Sequence, residues 1–451
     1  MSATTPVLDD RTGDTAGDQS PVLRALVSPR ASRIAVALGL ALLIALGASV
    51  VGGSGSDGPA GRLGGDYPAF YGAGRMVLEG DGSNLYDVEA QATAQGDLMG
   101  TTTDEFVYYP YPPFLAALFV PLAALGYRLS FLVWVVSLTA MVVGSLHLLR
   151  PQVRLIDRAF LPVVVATVAF WPLLRGIVGG QNTALTMALA VGAWTALRQG
   201  RDVMAGALLA GLTYKPQFAG PLIVLVLVME VGRHRRWGIL GGLAGAGATL
   251  WGLGALVSGW DWVWNWPKDV GDYPSVVAQN DAMNELSFVG VARSIWGYHS
   301  MVALVVGGLL AAGALTGLIA LSWRRGATAD PTKRLDPALL AATLAVLVLL
   351  PPHSMFYDSG LALIGLWVLA DRATTARGRR GDLAAGRPAP WMIAAVWAWG
   401  FVHLLAATGM VTPLLVMPVA VALTVGWVAW RRGAGLRSGM TGMTQAPSTI
   451  A

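Results

Sequence analysis

The chain has 451 residues, of which 55% are hydrophobic and 13% are charged, whereas soluble proteins carry roughly 25% charged residues. It contains no cysteine, so disulfides, thiolate nucleophiles and cysteine-ligated metals are excluded. The net charge of +5 arises in short arginine-rich joints between apolar runs, a pattern that indicates membrane topology and not a nucleic-acid surface.

Long apolar runs dominate the sequence, and a crossing of the hydrocarbon core needs about 20 such residues. The clearest runs are Ile34–Val51, Leu129–Leu149, Ala159–Leu174, Leu222–Met229, Ile239–Val257, Met301–Ser322, Leu339–Leu350, Leu361–Ala370, Trp391–Ala407 and Leu414–Trp430. Shorter runs need neighbouring residues or a broken helix to cross. The pattern predicts an all-α polytopic membrane protein with roughly a dozen transmembrane helices.

Polar segments divide the chain into two tails and one membrane domain. Residues 1–32 and 432–451 are predicted to be disordered cytoplasmic tails. The first apolar run begins only after Arg33, which favours an uncleaved signal anchor over a cleavable signal peptide. Residues 33–431 form the predicted transmembrane catalytic domain, with a first outer loop at 53–107 and a second at 259–298.

The distribution of positive charge predicts the orientation. With Arg33 inside and one net crossing in 107–150, 24 of the 31 Lys and Arg residues fall in the inner joints or tails. Pro112–Leu125 is then re-entrant or lies at the outer interface. The polar motifs between helix ends gather on the outer face, where we expect the function to lie.

Asp66 is the leading candidate for a catalytic carboxylate. It precedes Pro68–Glu79, whose apolar spacing predicts an amphipathic helix lying on the outer membrane surface. The helix dipole favours an ionised carboxylate at that end. The alternative is that Asp66 only caps the helix. Since Gly65-Asp66-Tyr67-Pro68 recurs as Gly271-Asp272-Tyr273-Pro274, Asp272 is the second candidate.

Lys215 is the one cation between Arg201 and Arg233, at a helix break before Pro216. Isolated charges at membrane depth mark functional sites, and phosphate is the natural partner of this one. The alternative is a lysine that snorkels to the interface.

His353 follows two prolines at an outer helix end, and Tyr357 and Asp358 begin the next helix. The histidine is a candidate phosphate donor, or a structural residue at a helix end. No metal-ligand spacing such as HExxH occurs, so no metal site and no cofactor are expected.

Gln181 and Asn182 offer amides that suit sugar hydroxyls, or that cap a helix. Trp260, Trp262, Trp264 and Trp266 form an outer aromatic cluster, which favours interfacial anchoring over stacking on sugar rings.

These residue types suit sugar transfer from a lipid phosphate. Because phosphate is a good leaving group, one carboxylate that accepts the proton of the attacking hydroxyl is the minimal equipment. Cationic donors then stabilise the charge on the leaving phosphate.

The motifs, in order, resemble a known family. They are the Gly65–Arg75 stretch, Leu85-Tyr86-Asp87, Tyr111-Pro112-Pro113-Phe114, Gly180-Gln181-Asn182, Lys215-Pro216-Gln217, and His353 with Tyr357-Asp358. This succession is similar to glycosyltransferase family 87 of the GT-C superfamily, which includes polyprenyl-phosphate-mannose-dependent α-mannosyltransferases that elongate phosphatidylinositol mannosides and lipomannan.

The resemblance implies a GT-C fold in the plasma membrane, with an extracytoplasmic site, a polyprenyl-phosphate-mannose donor and a glycolipid acceptor. It implies that Asp66 is the base of an inverting hexosyltransferase. The donor-phosphate and substrate contacts would be Lys215, His353, Tyr67, Gln181, Asn182, Tyr357 and Asp358.

Two alternatives stay open. The chain could use another polyprenyl-phosphate sugar, such as arabinose or glucose. It could instead move a lipid-linked sugar across the membrane as a flippase or transporter, although the inverted repeats common in transporters are not visible. A structural envelope subunit, in which Asp66 and Lys215 would be replaceable, is a third interpretation.

Overall fold

The structure, a computed structural model, describes residues 21–52, 64–99, 106–271, 285–325, 330–375, 397–398 and 400. Within these ranges the regular structure is helical, apart from an isolated antiparallel bridge between Glu285 and Met355. The prediction of an all-α membrane protein is confirmed at that level.

The α-helices are numbered here in chain order. They are α1 (Pro21–Val27), α2 (Pro29–Gly52), α3 (Tyr67–Leu78), α4 (Val88–Met99), α5 (Pro113–Ala123), α6 (Tyr127–Leu149), α7 (Arg154–Arg158), α8 (Phe160–Val168), α9 (Trp171–Val178), α10 (Thr183–Arg198), α11 (Asp202–Gly211), α12 (Pro216–Val226), α13 (Gly238–Ser258), α14 (Trp262–Gly271), α15 (Phe288–Trp296), α16 (Met301–Arg325), α17 (Pro331–Arg334), α18 (Pro337–Leu347) and α19 (Leu363–Thr375). A π-helical turn, Leu227–Arg233, extends α12, and 3₁₀ turns occur at Gly82–Asn84, Leu212–Tyr214 and Phe356–Ala362.

Five helices in these ranges are long and apolar enough to cross a membrane, and a bent pair raises the number to six. They are Pro29–Ala48, Tyr127–Leu149, Pro216–Arg233, Gly238–Ser258 and Met301–Arg324, with α8 and α9 as the bent pair. The predicted total of roughly a dozen is not confirmed. The apolar runs predicted at 391–407 and 414–430 lie outside the described residues, apart from 397–398 and 400.

The run predicted at Ala159–Leu174 is broken into two helices. The axes of α8 and α9 differ by 68°. Pro172 has no N–H to donate, and its ring would clash with the carbonyl of Val168, four residues earlier, so α8 ends there. In a membrane, such a break is tolerated where it is buried in protein or lines a cavity.

Helices α3 and α5 bear on two predictions made for this part of the chain. Helix α3 has nearly the predicted bounds, and nine of its 12 residues are buried in protein; its place on the membrane surface stays a prediction. Its small residues explain the burial, because Gly74 permits backbone contact with Phe119 of α5. Helix α5 has 11 residues, fewer than a crossing needs, and whether it is re-entrant or lies at the outer interface stays a prediction.

The N-terminal segment also differs, since helix begins at Pro21 within the predicted tail of residues 1–32. Residues 1–20 and the predicted tail 432–451 lie outside the described part of the chain.

The core centres on α10 and α18, whose residues are mostly buried. Helices α11 and α13 make the closest helix contact. A Cβ atom at Gly206 would collide with the carbonyl of Ile239, and one at Gly242 with the carbonyl of Val203. Small residues of this kind let membrane helices pack through their backbones.

Candidate active site

A glycine seam joins the start of α3 to the turn between α9 and α10. The N–H of Asp66 donates to the carbonyl of Gly179 over 2.9 Å. Gly180 has a φ of +77°, and a Cβ there would lie 2.6 Å from Cβ of Tyr67. Only glycine permits both the positive φ and this approach. The seam therefore brings Asp66 beside Gln181 and Asn182.

Asp66 occupies the N-cap position of α3, but its side chain makes no capping hydrogen bond. Instead, Nε2 of Gln181 donates to Oδ2 of Asp66. The carboxylate is half-buried. The capping alternative is thus not observed, and Asp66 is held by a residue that the sequence also singled out.

The two neighbouring amides carry buried polar atoms without partners. Oε1 of Gln181 and both amide atoms of Asn182 make no hydrogen bond of normal geometry within the described residues, although the Asn182 amide is near enough to the Tyr111 hydroxyl to lower its pKa in part. Asn182 is at the N-cap position of α10 but its side chain does not cap that helix. Buried polar atoms are normally paired, so these three are suited to a hydroxyl-bearing ligand.

Lys215 and Asp358 form a buried ion pair. Nζ of Lys215 is 3.1 Å from Oδ1 of Asp358, and Thr183 donates to the same oxygen over 2.7 Å. Nζ also lies 5.3 Å from the Phe218 ring centre and 5.9 Å from that of Tyr357. The lysine does not snorkel to the interface, and its charge is balanced by Asp358.

Tyr111 lies between the Asp66 side of the site and the Lys215 side. Burial raises the pKa of Tyr111, the nearby Asn182 amide lowers it in part, and the negative charges of Asp358 and Asp66 raise it further. Tyr111 is therefore within electrostatic reach of both carboxylates. Its ring centre is 6.3 Å from that of Tyr214.

The Tyr214 hydroxyl completes the floor of the site. It donates to the carbonyl of Asn182 over 3.0 Å and lies 2.5 Å from Oγ1 of Thr186. This fixes the backbone at Asn182.

His353 belongs to a separate cluster in the loop that leads to Asp358. Nδ1 of His353 is 2.8 Å from Oε1 of Glu285, whose side chain is fully buried. Nη1 of Arg293 lies 3.3 Å from the same oxygen. The N–H of Leu286 donates to the carbonyl of Ser354 over 2.7 Å, which fastens residues 285–287 to this loop. The His353 side chain is 49% exposed.

The other predicted residues are placed as follows. Tyr67 is fully buried, and its hydroxyl lies 2.5 Å from that of Ser130, so it packs in the core beside Asp66. Tyr357 packs against Gly176 of α9. Asp272 lies outside the described residues. No cluster of three or more His, Asp or Glu residues that could hold a metal occurs in the described ranges. Metal independence stays a prediction.

The four tryptophans of the predicted outer cluster divide into two pairs. Trp260 and Trp264 are exposed. Trp262 and Trp266 instead donate to the carbonyls of Trp251 and Pro110. Interfacial anchoring by the exposed pair stays a prediction, while the other pair fastens α14 to its neighbours.

Sequence reasoning missed four residues of this region, namely Tyr111, Tyr214, Glu285 and Arg175. Tyr111 begins one of the motifs named above, and Tyr214 directly precedes another, Lys215-Pro216-Gln217. Glu285 and Arg175 carry no local motif; their isolation among uncharged neighbours is the one signal that each offers.

Comparison with known proteins agrees with this picture. Residues 109–352, more than half of the chain, match the model of glycosyltransferase family 87. This range includes Gln181, Asn182 and Lys215, and Asp66 and Asp358 lie outside it.

A curated protein of Mycolicibacterium smegmatis is 26% identical over 379 residues, which are 81% of this chain and 85% of that protein. It is the polyprenol-phosphate-mannose-dependent alpha-(1-2)-phosphatidylinositol pentamannoside mannosyltransferase. No solved structure matches the chain. The family match and the apolar helices lead to one conclusion: the chain belongs to glycosyltransferase family 87 and is a membrane-embedded hexosyltransferase.

Proposed function

We propose that the enzyme transfers mannose from polyprenyl-phosphate-mannose to a glycolipid acceptor of the phosphatidylinositol mannoside or lipomannan type. The name of the mycobacterial relative supports the donor and the class of acceptor. The observation that carries the proposal is the Asp66 carboxylate, which Gln181 holds beside the partnerless amide of Asn182.

Asp66 acts as general base in this proposal. It accepts the proton of the acceptor hydroxyl, whose oxygen attacks the anomeric carbon of mannose. The bond from that carbon to the phosphate oxygen breaks, and its electron pair leaves on polyprenyl phosphate. Attack from the opposite face inverts the configuration, so a β-linked donor gives an α-mannoside.

The remaining predicted contacts have distinct places in the proposal. Gln181 and Asn182 offer free amide atoms to sugar hydroxyls. His353 is exposed at the edge and contacts the donor phosphate. Lys215 is ion-paired with Asp358, so its ammonium group contacts the donor phosphate while it also stays in contact with the Asp358 carboxylate.

The extracytoplasmic face and the plasma membrane are part of the proposal. The concentration of Lys and Arg in the joints on the opposite side supports this orientation. Lipid-linked sugars with a polyprenyl phosphate carrier suit an active site at a membrane surface.

The test is transfer of radiolabelled mannose from polyprenyl-phosphate-mannose, in membranes that contain wild type, Asp66→Asn or Asp81→Asn. Asp81 is a matched control, because it is in the same loop and its carboxylate accepts only a local bond from Asn84 over 2.7 Å. We expect Asp66→Asn to lower transfer by about 10²- to 10⁴-fold, as for loss of a general base. Asp81→Asn should keep wild-type activity.

Equal transfer by Asp66→Asn and wild type would remove Asp66 from this role and make Asp272 the next residue to test. If no mannose is transferred to any phosphoinositide-mannoside acceptor, donors carrying arabinose or glucose follow. Movement of an intact lipid-linked sugar across vesicles, without cleavage, would favour the flippase.

A further inference from the structure

The short helix α9 lies between the two loops that carry the site. At Gly176, a Cβ atom would lie 3.1 Å from Cβ of Tyr357, so the loop before α19 packs directly on this helix. At its end, Gly179 accepts the hydrogen bond from the N–H of Asp66. Arg175 is on α9, directly before Gly176 and four residues, about one helical turn, before Gly179.

The guanidinium of Arg175 lies over the glycine seam. Its Nη1 is 3.5 Å from the position that a Cβ of Gly65 would occupy and 3.2 Å from that of Gly179. Gly65 directly precedes Asp66. The charged end of Arg175 is therefore held next to the backbone that positions the proposed base.

Arg175 differs from the other cations near the site because it has no partner among the residues that the structure describes. Its side chain is exposed, and no hydrogen bond or salt bridge to it occurs in the described ranges. By contrast, Lys215 is buried against Asp358, and Arg293 contacts Glu285. The full positive charge of Arg175 is thus available to a ligand.

We infer that Arg175 binds the phosphate of the lipid-phosphate donor and stabilises the charge that develops on it as the sugar leaves. This inference rests on the proposed function. A guanidinium presents several N–H donors in a fixed plane that matches phosphate oxygens. The break between α8 and α9 also places this charge close to an interruption of a membrane helix, and such interruptions are tolerated where they are buried in protein or line a cavity.

An exposed arginine at a membrane surface can also contact the phosphate headgroups of bulk lipid. The two sources share one chemistry, so the experiment must separate them. Removing the phosphate from the ligand, while keeping its polyprenyl chain, isolates the contribution of the specific site.

The experiment uses purified full-length protein in nanodiscs of zwitterionic lipid and measures binding of polyprenyl phosphate and of the uncharged polyprenol of equal length. Wild type should bind the phosphate more tightly. In Arg175→Gln, the Kd for polyprenyl phosphate should rise by about tenfold to a hundredfold, as for loss of a hydrogen bond to a charged group. The Kd for polyprenol should not change.

Two further variants sharpen the result. Arg175→Lys keeps the charge without the planar fork and should recover part of the phosphate preference. Arg75→Gln removes another exposed outer-loop arginine, which pairs with Glu79 over 3.0 Å, and should bind like wild type. Equal unfolding temperatures for Arg175→Gln and wild type would show that the fold is retained.

The inference would be overturned if the ratio of the Kd for polyprenol to the Kd for polyprenyl phosphate were the same in Arg175→Gln and in wild type. An effect that appears only when anionic lipid is added would also overturn it, because the arginine would then contact bulk headgroups. The proposed function fails separately: wild type would transfer no mannose although its binding of polyprenyl phosphate depends on Arg175.

Discussion

Nζ of Lys215 lies 3.1 Å from Oδ1 of Asp358, and the two side chains are only 5% and 3% exposed. The pair connects the start of α12 with the 3₁₀ turn before α19, through residues 143 positions apart in the sequence. Thr183 of α10 donates to the same carboxylate oxygen. Three elements of the site are thus joined at one charged contact.

Breaking this pair should destabilise the protein strongly. In Lys215→Met, Asp358 is left as a buried charge without its counter-ion, and we expect a loss of about 3–5 kcal/mol in unfolding free energy. Asp358→Asn should cost a similar amount, because Lys215 is then unpaired.

The double variant Lys215→Met/Asp358→Asn should be more stable than the sum of the two losses predicts, because no isolated charge remains. Thermal unfolding in detergent measures all three. Strict additivity of the single losses would show that the two residues do not act as a pair in the membrane.

The glycine seam predicts a loss of activity from a single methyl group. Gly180→Ala would place a Cβ 2.6 Å from Cβ of Tyr67, at a φ of +77°. We expect the α9–α10 turn to move away from Asp66, and mannose transfer to fall at least tenfold, that is by about 1.4 kcal/mol or more in the barrier.

Gly200→Ala is the matched control, because Gly200 has a φ of +72° and no atom lies within 4 Å of its added Cβ. It should lose only the roughly 1–2 kcal/mol of stability that a left-handed alanine costs, with transfer unchanged. Equal losses of transfer in both variants would mean that backbone strain, and not the clash with Tyr67, is responsible.

A second buried ion network, away from the site, should be essential for stability. Glu230 contacts Arg236 through Nη1 over 2.6 Å and Arg334 through Nη2 over 2.7 Å. Burial disfavours the charge of Arg236, yet its hydrogen bonds to Asp202 and Glu230 raise its pKa overall, so it stays charged. Glu230→Gln should cost about 3–5 kcal/mol, because Arg334 and Arg236 both lose the Glu230 carboxylate, and Arg236 keeps only its pairing with Asp202.

Glu79→Gln is the comparison for that variant. Glu79 pairs with Arg75 one helical turn away, with its side chain 56% exposed. Such pairs contribute about 0.3–0.5 kcal/mol. The unfolding temperature should therefore fall much further in Glu230→Gln than in Glu79→Gln. A small fall of similar size in both variants would contradict the proposed importance of the buried network.

Glu285 should matter for activity through His353. Glu285→Ala removes the carboxylate that lies 2.8 Å from Nδ1 of His353 and leaves Arg293 without it. We expect the imidazole to lose its fixed orientation and the KM for the donor to rise more than kcat falls. Asp261→Asn, which alters an exposed carboxylate bonded to Asn265, should leave both constants unchanged. A fall in kcat alone would contradict a role in donor binding.

Individual helices could be predicted well from the sequence, because long apolar runs are a local property. The runs predicted at Leu129–Leu149 and Ile239–Val257 correspond to Tyr127–Leu149 and Gly238–Ser258. The break before α9 was missed, although Pro172 is the residue that causes it.

The partners of the site residues could not be predicted in the same way. Lys215 and Asp358 were each singled out, but nothing local shows that one balances the other across 143 positions. Arg175 lies between Leu174 and Gly176 and belongs to no motif. Its significance depends on how α9 packs, which is a tertiary property.

The backbone contacts of Gly206 with Ile239 and of Gly242 with Val203 have a consequence for work with the isolated enzyme. Because backbone meets backbone at these two glycines, the contact between α11 and α13 depends on close van der Waals packing and should survive replacement of lipid by detergent. Helix α2 is the opposite case, because only 6% of the residues in its most apolar stretch are buried by the rest of the protein. On extraction from the membrane, α2 should detach from the rest of the protein before α11 and α13 separate. Added lipid should restore the position of α2 and have little effect on the contact between α11 and α13.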